Sequence, residues 1–386
     1  MNKQNTIIVA LAVLAAVCAA TWLLLAAPAL TGNQVNMTRG VTSLSLTHYS
    51  LHMTILWVCV VIGVLVFTAM FTSIVLHRKS RGHEAAKFSH STRAEIAWTI
   101  IPVIILVVMA IPATSALIRM ESPAGADMTV KVTGFQWKWK YDYLEEDISF
   151  VSSLDPQSNA ARQRNSGIDP ESVDHYLLKV DKPLVLPVGR KIKFLITADD
   201  VLHAWWVPDF GWKRDAVPGF VNEGWVIIDK PGVYRGQCAE LCGKDHGFMP
   251  IVVEALEEAD YRAWVDGWKN RESQAAIEAQ REWTLDELMT RGAEVYATQC
   301  ATCHQADGQG LAPAFPPLAG SAVATGPVEE HIRVVLNGRA GTAMPGWAEL
   351  LSPADIAAAL TFTRNAFGND SGDLVQPQVI ADLDKG

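Results

Sequence analysis

Between Gln237 and Pro250 the chain reads Q-C-A-E-L-C-G-K-D-H-G-F-M-P, which places Cys238, Cys242, His246 and Met249 within twelve residues. Two thiolates, an imidazole and a thioether are soft or borderline donors, and that set suits copper. A second imidazole is available upstream only from His203, in D-D-V-L-H-A-W, because no other histidine lies between His175 and His304. Two cysteines on one short loop can bridge two coppers through both sulfurs. Each metal then takes one imidazole, with Met249 as a weak axial ligand and the Glu240 carbonyl oxygen serving the second copper. Shared sulfurs delocalise the unpaired electron, so bond lengths change little on reduction. Such a pair moves electrons and does no substrate chemistry. The alternative is a structural zinc, since two Cys and two His make a closed tetrahedral site. Zinc leaves Met249 and the aromatics Trp205 and Trp206 without a role.

A second stretch, C-A-T-C-H, runs from Cys300 to His304. Two thiols three positions apart can form thioethers with the two vinyl groups of haem, and the adjacent His304 reaches the iron. Met344, in G-T-A-M-P-G-W, is the only methionine after His304, and His331 is the only other histidine there. Met/His ligation raises a haem potential, so Met344 is the expected sixth ligand and His331 the alternative.

These stretches sit in a chain of 386 residues, 49% apolar, with the apolar content concentrated at the N-terminus. Length and patterning predict a multidomain membrane protein. The net charge of -9 argues against nucleic acid as a partner, and no phosphate loop, dinucleotide fingerprint or Ser/His/Asp arrangement is present. Cys18 and Cys59 lie in apolar segments, so no disulfide framework is expected. Residues 1–30, with Lys3, an apolar run and a small-residue end, read as a signal peptide. Residues 31–120 hold a two-helix transmembrane hairpin, with spans at about 53–76 and 96–118. The intervening loop carries Arg78, Lys79, Arg81, Lys87 and Arg93, against Arg39 alone over 31–50. The positive-inside rule makes that loop cytoplasmic and puts everything after Ile118 outside.

From Met128 the hydrophobic period changes to two. Further short runs at 191–196, 225–229 and 250–254 predict an all-β domain over 127–256, an antiparallel sandwich or barrel whose last two strands are joined by the cysteine loop. In G-F-Q-W-K-W-K-Y-D-Y the alternating Trp137, Trp139, Tyr141 and Tyr143 read as the core face of a strand. Residues 151–175 read as a polar surface insertion with no assigned function. Residues 257–283 predict a charged, solvated helical connector. Thr284 and Glu287 then form a capping box that opens an all-α domain over 284–368, and Ser352-Pro353 starts its last helix. A disordered tail is expected over 369–386. From Thr284 onward twelve acids face five bases, a net -7, which would steer a basic electron donor.

The motifs C-A-E-L-C-G-K-D-H-G-F-M, D-V-L-H-A-W and K-R-D-A-V-P-G resemble subunit II of haem-copper cytochrome c oxidases, over roughly residues 45–255. Residues 287–368 resemble a class I cytochrome c. The resemblance implies a cupredoxin-like β-domain with a dinuclear copper centre. It also implies that Trp137 is where electrons reach copper, and that Glu95, three residues before Trp98, marks the mouth of a proton channel into subunit I. Asp200 and Asp215 would lie behind the ligands or on a docking face, and the Glu240 carboxylate would share a Mg site with subunit I. Phe135 stands where that family commonly has histidine, and Lys138 where it commonly has an aromatic.

The expected function is therefore that of subunit II of a respiratory cytochrome c oxidase, taking electrons through a fused haem c to copper. Oxygen reduction and proton translocation would occur in subunit I. Expected partners are subunits I and III and a donor such as a cytochrome c or the quinol-cytochrome c reductase complex, at a bacterial cytoplasmic membrane with the copper and haem domains periplasmic. The alternatives are the electron-accepting subunit of a copper-containing nitric oxide reductase and a non-enzymatic membrane-anchored electron shuttle.

Overall fold

The computed structural model describes residues 3–383, apart from 32–35, 83–86, 164–165, 313–314, 340–341, 343 and 349. The chain forms two compact units, one of Met1–Ser122 with Asp209–Gly211 and the other of Pro123–Pro208 with Trp212–Gly386.

The first unit contains helices α1 (Lys3–Thr31), α2 (Ser43–Leu76) and α3 (Thr92–Met120). Helix α2 opens at a capping box in which Thr42 Oγ1 accepts from Ser45 N at 3.0 Å and Ser45 Oγ accepts from Thr42 N at 3.1 Å. Among the described residues α2 and α3 are long and apolar enough to span a membrane, and they contain the two expected spans. Their apolar side chains face outward, Leu65 at 63% and Ile111 at 69% exposure, a surface that only lipid or a partner helix can satisfy. Pro102 and Pro112 lie inside α3. Of the expected signal peptide, residues 1–2 and the side chains before Ile7 and after Trp22 lie outside the described residues, as does the Arg81 side chain of the basic loop.

The second unit begins with a β-sandwich. Its strands are β1 (Met128–Phe135), β2 (Lys138–Tyr143), β3 (Ile148–Ser152), β4 (Leu184–Pro187), β5 (Lys191–Ala198), β6 (His203–Val207), β7 (Trp212–Ala216), β8 (Asn222–Ile227), β9 (Gly232–Cys238) and β10 (Pro250–Leu256), with helix α4 (Pro156–Ala161) between β3 and β4. One sheet has the order β3-β2-β1-β5-β8 and the other β4-β10-β9-β6-β7. The antiparallel expectation is corrected in part, because β1 pairs with β5 and β10 with β4 in parallel. Alternation along β5 buries Ile192, Phe194, Ile196 and Ala198. Phe194, Trp205 and Trp212 meet between the sheets with ring centroids 5.1–5.7 Å apart. Each such ring contributes on the order of 4 kcal/mol by burial, and together they form a rigid floor under the loop that joins β9 to β10.

Helix α5 (Glu258–Gln280) follows. It is helical as expected but not solvated all round, since Trp264 lies 5.4 Å from Tyr143 and Trp268 lies 4.7 Å from Phe150. The last helices are α6 (Leu285–Val295), α7 (Ala301–His304), α8 (Val328–Asn337), α9 (Pro353–Asn365) and α10 (Pro377–Leu383), with a π-helical turn at Tyr296–Cys300 between α6 and α7. The predicted capping box at Thr284 is formed. At the crossing of α6 and α9 a Cβ on Gly292 would fall 2.2 Å from the Ala358 carbonyl oxygen, so only glycine permits this approach. The disordered tail is corrected as far as Leu383: Val375 and Ile380 are buried in one core with Ile332, Leu336, Trp347 and Leu360. Residues 384–386 lie outside the described residues.

Candidate copper and haem sites

Register explains why the predicted copper ligands meet. Trp205 of β6 pairs with Cys238 of β9, which puts His203, at the start of β6, beside the end of β9. Ala239 N donates to Ala204 O at 3.0 Å and extends that pairing into the loop. The donor atoms of His203, Cys238 and Cys242 all lie within 4.8 Å of one another, with the two sulfurs 3.8 Å apart. His203 Nδ1 lies 3.8 Å from Cys238 Sγ and His246 Nδ1 lies 3.4 Å from Cys242 Sγ. The Glu240 carbonyl oxygen is 3.4 Å from Cys238 Sγ. Met249 is 1% exposed, and its carbonyl accepts from Cys238 N at 3.0 Å.

The surroundings orient these donors. Asp200 Oδ1 bonds His203 Nε2 at 2.9 Å, which leaves Nδ1 as the nitrogen facing the sulfurs. Burial opposes protonation of His203, but Asp200 and Cys238 outweigh it and raise the imidazole above its ordinary value. Cys238 is drawn down because Cys242 donates to it, with His203 and backbone groups adding to the effect against burial. Cys242 is pushed up for the same reason, its proton being held between the two sulfurs. A metal ion would replace that shared proton. Gly134 of β1 passes so near the site that a Cβ would lie 3.0 Å from His203 Cδ2 and 3.0 Å from the Trp139 ring.

The turn between β1 and β2 also holds the loop, because Gln136 Nε2 and Trp137 Nε1 both donate to the Cys242 carbonyl, at 2.8 and 3.1 Å. Trp139, Tyr141 and Tyr143 are core residues as their alternation predicts, each 1% exposed or less. Trp137, 6% exposed, meets Phe315 of the helical domain edge-on at 6.2 Å.

Cys300, Cys303, His304, His331 and Met344 line one cavity of about 360 Å³, and Trp137 and Lys138 of the β-domain supply part of its wall. His304 Nδ1 donates to the Pro316 carbonyl at 2.9 Å, which leaves Nε2 as the nitrogen available to iron. Burial holds His304 below its ordinary value and pushes the Cys300 thiol up to about 11, with opposing help from Lys138. His331 is 3% exposed, and its Nδ1 has no partner among the described residues. Both candidates for the sixth ligand therefore face the same cavity.

A family model described as cytochrome C oxidase subunit II, periplasmic domain, matches residues 128–256. The corresponding transmembrane domain model matches 31–115, and a model described as cytochrome C oxidase, cbb3-type, subunit III matches 287–362. The probable cytochrome c oxidase subunit 2 of Rickettsia bellii (strain RML369-C) is 46% identical over 181 residues, which is 47% of this chain and 64% of that protein. Cytochrome c oxidase subunit 2 of Alkalihalophilus pseudofirmus is 32% identical over 326 residues, 80% of this chain and 84% of that protein. The chain belongs to the cytochrome c oxidase subunit II family. The crystal structure of the periplasmic domain of a Bradyrhizobium japonicum cytochrome oxidase subunit II is 38% identical, covers 39% of this chain and 99% of that one, and has a TM-score of 0.33.

Copper and haem binding follow in general from the subunit II family and the cytochrome family together. The transmembrane family and the two apolar helices make this subunit II chain membrane-anchored, with a domain of the periplasmic type. Glu95 is half-buried in the first turn of α3, where its Oε1 accepts from Ser91 N at 3.3 Å. Glu240 is also half-buried. Asp215 is exposed on β7, where it pairs with Ala204, and it is not among the groups gathered at the sulfurs.

Sequence reasoning missed two contributors. Lys138, at a position whose parity predicts exposure, is buried at 6%. Arg162, from the stretch expected to be a surface insertion, lies 3.3 Å from Asp245 in the cysteine loop. That expectation is corrected for its first part, since α4 carries Ser158, Asn159 and Ala161 at 6% exposure or less, while 166–175 lie at the surface as expected. Asp155-Pro156, an N-cap followed by proline, was the available signal for α4.

Proposed function

We propose that the chain is the subunit through which electrons reach a respiratory haem-copper cytochrome c oxidase. One observation supports this most. The gathered donors of His203, Cys238 and Cys242 share a compact unit with a cavity walled by Cys300, Cys303, His304 and Met344. In this reading His203, Cys238, Cys242, His246, Met249 and the Glu240 carbonyl hold a dinuclear copper pair. The donor chemistry fits, with soft sulfurs and imidazoles in a dry site. Cys300 and Cys303 would hold haem c through thioethers, with His304 and Met344 as the residues that would bind its iron, Met344 being favoured over His331 because Met/His ligation raises the potential.

When bound, the two groups supply one-electron carriers, so reduction of oxygen to water and proton translocation belong to subunit I. The chain's own residues position and insulate. Asp200 fixes the His203 ring, Pro316 fixes the His304 ring, and Trp137 lies between the copper loop and the cavity. Glu95 opens a proton path toward subunit I, and the Glu240 carboxylate shares Mg with it. Asp200 stands behind the ligands, and Asp215 belongs to a docking face. Subunit III and a cytochrome c or quinol-cytochrome c reductase donor complete the set of partners. The setting is a bacterial cytoplasmic membrane with the second unit on the periplasmic side and residues 1–30 removed as a signal peptide.

The test is metal and haem analysis of the purified chain with visible and near-infrared spectra. Two coppers per covalently bound haem, with near-infrared absorption lost on reduction, is the expected result. Zinc in place of copper would reduce the chain to a membrane-tethered cytochrome c with a structural metal domain.

A further inference from the structure

Lys138, Asn159, Arg162 and Asp181 supply none of the expected ligands to either metal group, although the first three line the cavity with Cys300 and Cys303, and all four are built into the contacts that the β-domain makes with the haem-binding turn and the copper loop. Lys138 Nζ donates to Gln299 O at 3.2 Å and to Gln299 Oε1 at 3.0 Å, and it sits 3.8 Å above the Trp347 ring. Among the described residues every direct contact found for this ammonium comes from the helical domain. A buried lysine is costly unless its donors are met, so this one is satisfied only with the two domains together. Asn159 Nδ2 donates to Ala297 O at 3.1 Å, and Gln299 Nε2 donates to Asp181 Oδ2 at 3.4 Å. Ala297 and Gln299 lie in the π-helical turn that leads into C-A-T-C-H.

The same set of residues reaches the copper loop. Arg162 pairs with Asp245, which is 2% exposed, and stacks 4.4 Å over Phe248. From the loop itself, Lys244 lies 5.1 Å over Phe315, the ring that Trp137 also meets. A buried network with its members bonded specifies one geometry more sharply than an apolar contact would.

We propose that Lys138, Asn159, Arg162 and Asp181 form a docking cradle that holds the haem-binding turn on the Trp137 face, closing that face to any separate electron-carrying protein. The inference rests on the electron-transfer reading above. It replaces a tethered domain that meets the copper loop by diffusion with one that is already seated. An outside donor then delivers its electron to the helical domain alone. One electron passes from that domain to the copper pair, oxidising the first by one and reducing the second by one, with no bond made or broken.

Two measurements on the full chain test it. The first follows internal electron transfer after a flash, as sucrose raises the solvent viscosity. A seated domain gives a rate that does not change, whereas a rate falling in proportion to viscosity overturns the cradle. The second is hydrogen exchange, with or without metal, comparing the wild type with the double variant Lys138→Met, Asn159→Leu. Amides at 156–161 and 296–300 should exchange about tenfold faster in the variant, while those of β5 and β9 stay protected and report that it has folded. Equal protection in both proteins overturns the cradle. If the double variant does not fold, the wild-type viscosity measurement still decides. Absence of copper or haem would sink the electron-transfer reading instead, and the exchange comparison would still decide the docking.

Discussion

The indole N–H of Trp137 donates to the peptide carbonyl of Cys242 at 3.1 Å, across 105 residues of sequence. The bond fixes the ring against the loop that carries both thiols, while the same ring meets Phe315 on its other side. Trp137→Phe keeps an aromatic ring and removes the N–H. Internal electron transfer should slow by about tenfold through lost positioning, with copper and haem content unchanged. A flash measurement giving the wild-type rate would take Trp137 out of the path.

In the proposed copper site Asp200 acts through His203, whose Nε2 it bonds at 2.9 Å. Asn in its place keeps the shape but removes the charge that fixes which imidazole nitrogen faces the sulfurs. Copper affinity should fall by about 10–100-fold, read by competition with a chelator of known strength. An unchanged affinity would show that the ring is oriented by its packing alone.

Gly134→Ala puts a methyl group 3.0 Å from the His203 and Trp139 rings. Overpacking of this kind destabilises by about 1–3 kcal/mol, and here the displaced group is a proposed copper ligand. Copper should be lost or bound with an altered spectrum while the haem content stays as it was. A normal copper spectrum would mean that β1 yields and the imidazole does not.

Lys138 gives stability a pH dependence. Burial lowers its pKa from the ordinary 10.5 to about 8, against the opposing pull of the Asp181 carboxylate. Between those values the unfolded chain holds more protons than the folded one, so stability rises with pH across the window. The gain is present in full above 10.5 and is lost as pH falls through about 8, and it amounts to about 3 kcal/mol. Urea unfolding at both ends of the window, for the wild type and Lys138→Met, isolates it. The variant should lack the rise, and equal slopes would place the ammonium in water.

The proposed copper and haem ligands could be read from the sequence because each chemistry needs fixed donor types close together in the chain. Cys238 to Met249 and Cys300 to His304 each fit on one short stretch. His203 could be found only by elimination, since strand register brings it in, and a sequence of alternating residues does not name its pairing partner. The parallel pairing of β1 with β5 escaped for the same reason. Lys138 misled because alternation along β2 assigns it to solvent, and only the covering domain buries it. The tail carried readable signals in Pro377, Val379, Ile380 and Leu383, but the polar residues around them outweighed a helix of seven residues.

The cavity that holds Cys300 and Cys303 is walled in part by Trp137 and Lys138 from another domain. A pocket closed by two bodies can be filled from the side only before they meet. A haem c joined to Cys300 and Cys303, as proposed, would therefore be attached while the helical domain still stands apart, with seating on the β-sandwich after it. On that reading the architecture itself orders maturation, with covalent attachment first and domain closure second. A chain that closed early would leave both thiols half-buried in a cavity already walled by a tryptophan and a lysine.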